Sequence, residues 1–267
     1  MSAAILAALV VLALCTAAAL FYMHTPAYRR LLLRRAAALA AAGRIDSMLR
    51  LLERNRDRST VKDPLSNALV YFHIRSGRFD EAEKIVLEAM ERGDRSGMAI
   101  AQLGYSAAGR GDRKAAEELY RKAIEKDPAL KKTLNVNIAA SMIEAGERLD
   151  EAEALLREAL ELRDGEARGG VHINMALLHL RRKQPRDALV HAMTGYEVQP
   201  SSELTRLGRG QALALAARAS EMLGEKRDSV ELAEKALRLV AGLPGAERLV
   251  SELEILAGRN PAPGAAD

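Results

Sequence analysis

Small and apolar residues recur along this chain at helical spacing and again after 34 residues. The recurring positions are Gly77, Ala82 and Ala89, followed by Gly111, Ala116 and Ala123. Two alanines seven residues apart lie on one face of a helix, where a second helix can approach closely. A fixed period of this length is typical of stacked helix pairs. The pattern therefore predicts an all-α array in which each pair buries its apolar face on its neighbours.

The glycine that ends each first helix allows the period to be followed in both directions. The series continues at Gly43, Gly146 and Gly224, Lys183 takes the glycine position of the fifth repeat, and one residue is inserted after Gly146. Glycine suits this position because it adopts the left-handed conformation that ends a helix. Prolines such as Pro128 are expected to stop the second helices. Six repeats are predicted.

This period divides the chain into six predicted segments. They are a membrane helix at 2–23, a basic segment with a degenerate first repeat at 24–62, a core array at 63–202, an irregular join with a degenerate sixth repeat at 203–243, a capping helix at 244–259 and a disordered tail at 260–267. A capping helix is expected where the open end of a repeat stack would otherwise expose apolar surface.

The best-formed repeat carries a recognisable motif. Its residues are Ile100, Leu103, Gly104, Gly111, Asp112, Ala116, Tyr120, Ala123, Asp127 and Pro128. This pattern resembles the tetratricopeptide repeat family, although Ile100 stands where the family often has tryptophan and Ala107 replaces the usual aromatic residue. The resemblance implies a right-handed superhelical solenoid of helix-turn-helix repeats. It also implies that the first helices line a concave groove for a protein or an extended peptide.

Polar and aromatic residues of the first helices are the candidate groove contacts that this resemblance implies. They are Asn67, Tyr71, Arg75, Gln102, Tyr105, Asn137, Asn174 and Arg181. The amides at Gln102, Asn137 and Asn174 share one position, where the family often places an asparagine against the backbone of a bound peptide. An amide can both donate to and accept from a peptide group. The alternative is that these amides bond the neighbouring helix.

The net charge of +4 is concentrated in one short segment. Residues 1–28 contain no Lys, Arg, Asp or Glu, and residues 29–62 contain ten basic against three acidic residues. The remaining residues, 63–267, contain thirty basic and thirty-three acidic residues. A basic chain often binds nucleic acid. Because the repeats themselves are slightly acidic, no nucleic-acid partner is expected.

The amino-terminal residues predict a membrane anchor. Residues 2–23 are uncharged and mostly aliphatic, and as a helix they would reach about 33 Å, enough for a bilayer core of about 30 Å. The flanking residues Arg29, Arg30, Arg34 and Arg35 place the repeats in the cytoplasm by the positive-inside rule. These arginines are an orientation signal or, as a further hypothesis, bind acidic lipid headgroups. Thr25 and Pro26 predict the start of the next helix.

Three other interpretations of this segment remain open. A cleaved signal peptide would require a basic leading region, which is missing. A lipoprotein anchor at Cys15 is disfavoured because Leu14 is large for the preceding position. The repeats could also face outward, since a first helix does not always follow the charge rule.

Motifs for catalysis, cofactors or metals do not emerge from the sequence. Five histidines and one cysteine form no metal-binding motif, and the glycines form no phosphate-binding loop. His172 and His179 share a helix face but occupy positions where the family packs bulky residues, as does His73. We expect them to pack rather than to ligate a metal. Acid pairs such as Asp80 with Glu81 are expected to be solvated helix surface.

Taken with the resemblance, these features predict a membrane-anchored, non-enzymatic scaffold. It would bind a protein or peptide in its groove on the cytoplasmic face of a membrane, with the bacterial inner membrane as the expected location. One alternative is an exported chaperone or translocon-associated factor with its repeats facing outward. A third class is a regulatory subunit of a membrane enzyme.

Overall fold

The computed structural model describes residues 25–202, 205–243 and 246–259. In these residues the chain forms thirteen α-helices, two 3-10 turns and no strand, which confirms the all-α prediction. The helices are α1 Pro26–Ala41, α2 Ile45–Asn55, α3 Pro64–Arg75, α4 Phe79–Glu91, α5 Gly97–Gly109, α6 Arg113–Lys126, α7 Lys131–Ala145, α8 Leu149–Glu161, α9 Gly169–Arg181, α10 Pro185–Val198, α11 Arg206–Leu223, α12 Lys226–Val240 and α13 Glu247–Leu256. The 3-10 turns are Pro128–Leu130 and Gly165–Arg168.

The helices fall into two compact units that divide after Pro128. The N-terminal unit contains the helix pairs α1–α2, α3–α4 and α5–α6, and each pair packs on the next. The C-terminal unit contains α7–α8, α9–α10 and α11–α12, followed by α13 against α11 and α12. Each unit is thus built from stacked helix hairpins, the arrangement of a repeat solenoid.

Local capping residues determine where several helices begin. Thr25 caps α1 by accepting a hydrogen bond from the Tyr28 N–H at 3.2 Å, and Pro26 occupies the first helical position. This confirms the helix start predicted from Thr25 and Pro26. Asp63 caps α3 in the same way, accepting from the Ser66 N–H at 3.0 Å.

The turns between paired helices use the left-handed backbone conformation. Gly43, Gly77, Gly111, Gly146 and Gly224 all have a positive φ, as predicted for the recurring glycine. Where the fifth repeat lacks glycine, Lys183 adopts the same conformation with φ of 57°. The turn geometry is therefore kept even where its preferred residue is absent.

The small residues seven apart lie at the contacts between paired helices. Ala82 and Ala89 on α4, like Ala116 and Ala123 on α6, are buried. Gly104 on α5 faces the Tyr120 ring, and a Cβ at that position would come within 2.6 Å of Tyr120 Cε1. These positions are small because larger side chains would separate the helices.

Two irregularities in the repeat period correspond to local features of the structure. The residue inserted after Gly146 is accommodated by Arg148, which takes a left-handed conformation with φ of 51° immediately before α8. Residues 206–210 lengthen the first helix of the sixth repeat, because α11 begins at Arg206 and contains 18 residues.

Three glycines lie where the fourth and fifth repeats join. Gly165 belongs to a 3-10 turn between α8 and α9, and Gly169 and Gly170 begin α9. Gly169 is buried against Gln199, whose Cγ would lie 2.5 Å from an added Cβ. This glycine is therefore required by packing.

The predicted membrane helix at 2–23 and the predicted tail at 260–267 lie outside the described residues. Within the part of the chain that is described, none of the helices combines the length and apolar character needed to cross a bilayer.

Candidate partner-binding face

The first helices of successive repeats lie side by side in each unit. In the N-terminal unit α3 lies between α1 and α5, and in the C-terminal unit α9 lies between α7 and α11. The open side of each row is called the first-helix face of its unit. These two faces carry most of the residues that the sequence suggested for partner binding.

Helix α3 contributes exposed residues to this face in the N-terminal unit. Tyr71 is 63% exposed although it is a large aromatic residue. Arg75 lies one turn further along and is exposed, and Asn67 lies one turn before it and is half-buried. Their spacing of four residues places all three on one side of α3. The structure therefore brings this predicted group together.

Helix α5 contributes less than the sequence suggested. Gln102 is only 5% exposed, so its predicted role as a groove contact does not agree with its position inside the helix packing. Tyr105 is half-buried, with its ring centroid 5.3 Å from that of Tyr120. Burial, and secondarily the neighbouring Tyr105, raises the pKa of Tyr120, so its hydroxyl loses its proton only at a higher pH than an exposed tyrosine does.

In the C-terminal unit the predicted residues lie on α7 and α9. Asn137 and Asn174 are half-buried, and Arg181 is exposed at the end of α9. Asn174 donates from Nδ2 to the Gly170 carbonyl oxygen at 3.1 Å, one turn earlier in its own helix. From the sequence, this amide was expected to bond either a bound peptide or the neighbouring helix. The bond within its own helix is a third arrangement.

The four arginines that follow the predicted membrane helix all lie on α1, in two different environments. Arg30, Arg34 and Arg35 are exposed. Arg29 is half-buried and forms an ion pair with Asp63, the residue that caps α3. Arg29 therefore joins the first repeat to the second, in addition to any role near a membrane.

Three histidines meet between α9 and α10. His179 is buried, as expected for a packing residue, and its ring stacks on His191 with centroids 5.3 Å apart and planes 4° apart. His172 Nδ1 lies 3.0 Å from His191 Nδ1. Burial lowers the pKa of His191 to about 4, and the neighbouring imidazoles act in the same direction. Sequence reasoning missed His191 because it lies on a different helix.

The histidine cluster does not have the form of a metal centre. Parallel stacked imidazoles direct their ring nitrogens along parallel planes, whereas metal ligands must converge on one point. No group of three or more His, Cys, Asp or Glu side chains in the described part of the chain is arranged to hold a metal ion.

Ion pairs between consecutive repeats are a further feature that the sequence analysis missed. Arg110, just after α5, pairs with Asp80 and Glu83 on α4, and the Nη2–Oδ1 distance to Asp80 is 2.8 Å. Arg182, just after α9, pairs with Asp150 and Glu153 on α8 in the same way. The Asp80 side chain is 93% exposed, as expected for solvated helix surface, and forms this ion pair in addition. The signal was the spacing of 27 to 32 residues between opposite charges, close to one repeat.

Comparisons with known proteins agree with this architecture. Residues 97–209 match the family model described as tetratrico peptide repeat. Repeat proteins of this kind are generally non-enzymatic scaffolds, and the match indicates no catalytic family. No curated protein sequence matches the chain significantly.

Several solved structures share the fold at low sequence identity. BtubC (BKLC) from P. vanneervenii is 17% identical with a TM-score of 0.56, over 82% of this chain and 91% of that one. A chain of the APC/C hetero-tetramer Cut9-Hcn1 is 11% identical with a TM-score of 0.62, over 85% of this chain and 40% of that one. MamA from Desulfovibrio magneticus RS-1 is 13% identical with a TM-score of 0.51, over 71% and 99%.

At these identities the structural likenesses establish the fold alone. The helix hairpins, the left-handed turns at recurring glycines and the family match at residues 97–209 all lead to the same assignment. They identify residues 97–209 as tetratricopeptide repeats within a chain of the same repeat fold.

Proposed function

We propose that the first-helix face of the N-terminal unit binds an extended segment of a partner protein and that the chain acts as a scaffold without catalytic activity. The observation that carries this proposal is the exposure of Tyr71 beside Arg75 on the same side of α3. Exposed aromatic and arginine side chains on a rigid element are typical of residues that dominate protein interfaces. The fold commonly mediates protein–protein interaction, which supports the same conclusion.

The first-helix face of the C-terminal unit carries polar residues that can bind such a segment in their own right. Asn137 and Asn174 lie at equivalent positions of α7 and α9, and Arg181 follows at the exposed end of α9. Amide and guanidinium groups can satisfy the backbone and the acidic side chains of a bound segment. The expectation that nucleic acid is not a partner stays a prediction.

We also propose that residues 2–23 anchor the protein in a membrane with the repeats on the cytoplasmic side. The uncharged segment and the four arginines after it support this orientation. The alternative is an exported chaperone or translocon-associated protein with outward-facing repeats. A regulatory subunit of a membrane enzyme is a third candidate.

A pair of matched variants tests the interface. Affinity purification with crosslinking in intact membranes would first identify a partner, and binding would then be measured with both purified proteins. Tyr71→Ser should weaken binding by at least about tenfold, the effect of losing one interface anchor. The matched control is Val190→Ser, because Val190 is also 63% exposed but lies on a second helix, α10.

Both variants should keep the helical circular dichroism spectrum of the parent. Equal affinity of the Tyr71→Ser variant and the parent would refute the proposed interface. A loss of the same size in both variants would also refute it, since the effect would then not depend on the first-helix face.

A further inference from the structure

A second surface feature lies on the other helices of the N-terminal unit. A groove of about 740 Å³ runs between α2 and α4, and His73 from the end of α3 contributes to its lining. This second-helix groove joins a smaller hollow of about 320 Å³, because Glu53 and His73 line both. None of the residues predicted to bind a partner lines either space.

The lining of the second-helix groove has a negative charge balance. Six carboxylates face three basic side chains. Glu53 and Glu88 are paired with Arg56, Arg58 and Arg92, and Asp80 and Glu83 are paired with Arg110. The other two carboxylates, Glu81 and Glu91, are exposed and have no ion-pair partner among the described residues. These two unpaired carboxylates are therefore the part of the lining that attracts a positively charged ligand.

Two buried polar atoms in the groove lining lack partners. His73 is 8% exposed, and its Nδ1 has no hydrogen bond. The Arg56 side chain is 3% exposed, and its Nη1 has no acceptor. Buried polar atoms are nearly always paired in native proteins, so such atoms mark a place where a ligand or water completes the structure. This observation is independent of the acidic rim.

The chemistry of these atoms indicates what would bind. Burial, and secondarily the nearby Arg78, lowers the pKa of His73, so its imidazole is neutral at pH 7 and does not repel a cation. A neutral imidazole has one nitrogen that accepts a hydrogen bond, whereas the Arg56 N–H requires an acceptor such as a backbone carbonyl. A polypeptide with a cationic side chain supplies both a donor and an acceptor.

Apolar surface lies next to the carboxylates. Leu87 on α4 is 48% exposed although it lines the groove, and the adjoining hollow is lined by Leu49 and Leu69 beside Arg50 and Arg54, which disfavour a cationic side chain there. A bound segment would bury this surface with an apolar side chain of its own. The lining therefore favours cationic and apolar residues in alternation over a purely cationic ligand.

We propose that the second-helix groove binds an extended segment of a partner protein that carries lysine or arginine beside a leucine-sized apolar residue. The cationic side chains lie against Glu81 and Glu91, and the apolar side chain covers Leu87. This site is separate from the first-helix face, and its existence does not depend on that face binding a partner.

The proposal can be tested on the full chain in a mild detergent with a defined probe. The probe is a fluorescein-labelled peptide of three Lys-Leu-Lys repeats, and its binding is followed by fluorescence anisotropy at moderate salt. The double variant Glu81→Gln with Glu91→Gln should bind about fivefold more weakly, the effect expected from two exposed charge pairs. The control Glu118→Gln with Glu125→Gln removes the same charge from exposed positions of α6, outside the groove.

Two further measurements separate this site from general attraction to acidic protein. A peptide of Lys-Ser-Lys repeats should bind more weakly than the leucine peptide, and Leu87→Ser should remove that difference. Equal weakening by the groove and control variants would overturn the proposal, as would equal binding of the two peptides. Self-association that is lost only in the groove variant would also overturn it, since the occupant would then be a second copy of this chain.

Discussion

Gly104 shows how a single small residue controls the contact between two helices. The Tyr120 ring lies where a larger side chain at position 104 would extend, and that ring is itself packed against Tyr105. Gly104→Ala should therefore force the ring or the helix to move, because the added Cβ would lie 2.6 Å from Tyr120 Cε1. We expect the free energy of unfolding to fall by about 1–3 kcal/mol, measured by urea denaturation.

The matched control for this substitution is Gly170→Ala. Gly170 also lies in a helix, but a Cβ there would meet nothing within 4 Å. Alanine should be neutral or stabilising by up to about 1 kcal/mol, because it restricts the unfolded chain. If both variants lost the same stability, the close contact between Gly104 and Tyr120 would not be the cause.

Residue positions differ in how far the surrounding sequence determines their backbone conformation and their burial. The recurring glycine predicts a left-handed turn correctly, and Lys183 keeps that turn without glycine because the paired helices on both sides constrain it. Gln102 shows the opposite case. Its position in the repeat predicts a side chain on the first-helix face, but neighbouring helices bury it. Exposure depends on neighbours that one repeat does not specify.

At the level of elements, the α9–α10 hairpin contains the histidine cluster. His172 and His179 are seven residues apart, so the sequence shows that they share a face of α9. That His191 of α10 contacts both is decided by the packing of the two helices. Charged groups nearby act in opposite senses, since Asp187 raises the pKa of His191 and Arg157 lowers it.

This cluster predicts a loss of stability in acid. The ordinary pKa of histidine is about 6.5, and in the folded protein burial lowers the pKa of His191 to about 4. The unfolded chain therefore binds the proton more tightly, and the free energy of unfolding decreases as the pH falls from about 6.5 to about 4. His191→Phe keeps a flat ring but removes this proton, so its stability should decrease less over that range.

Urea denaturation of the parent and the His191→Phe variant at several pH values between 7.5 and 4.5 measures this difference. The stability of the variant should still depend on pH to some extent, because burial also lowers the pKa of His172. Equal helicity of the two proteins at pH 7.5 is the control. If the free energy of unfolding decreased equally in both proteins between pH 7.5 and 4.5, His191 would not be a cause of the acid sensitivity.

Ion pairs between helices likewise depend partly on the sequence and partly on how the helices pack. The sequence contains the acidic residues at the start of α4 and α8 and the arginines after α5 and α9. Their pairing requires consecutive hairpins to stack with a defined offset, which places Arg110 beside Glu83 and Arg182 beside Glu153. Exposed ion pairs contribute little to stability, so they are better suited to aligning the repeats than to holding them together.

At the scale of the whole molecule, the main prediction concerns orientation in a membrane. If residues 2–23 span the bilayer and the arginines of α1 stay on the cytoplasmic side, the carboxyl terminus is also cytoplasmic. A reporter that fluoresces only in the cytoplasm should be active when fused after Asp267. The same fusion to a reporter that is active only in the periplasm should be inactive.

The arginines themselves provide the control for this orientation. Replacing Arg30, Arg34 and Arg35 by glutamine should weaken the preference for a cytoplasmic carboxyl terminus, because the positive-inside rule counts lysine and arginine near the membrane segment. The signal of the periplasmic reporter should then increase. Arg29 is left unchanged because it pairs with Asp63. Periplasmic activity of the unaltered protein would contradict the cytoplasmic placement and favour the exported alternative.

The sequence by itself determined the repeat period, the all-α class, the turns at recurring glycines and the small residues between paired helices. These features depend on neighbours within one repeat, so a periodic pattern is sufficient to specify them. Only the tertiary structure decided that Gln102 is buried, that His191 joins His172 and His179, and that α2, α3 and α4 enclose an acidic groove. Those outcomes depend on how separate helices pack, and side chains distant in sequence meet only after that packing has formed.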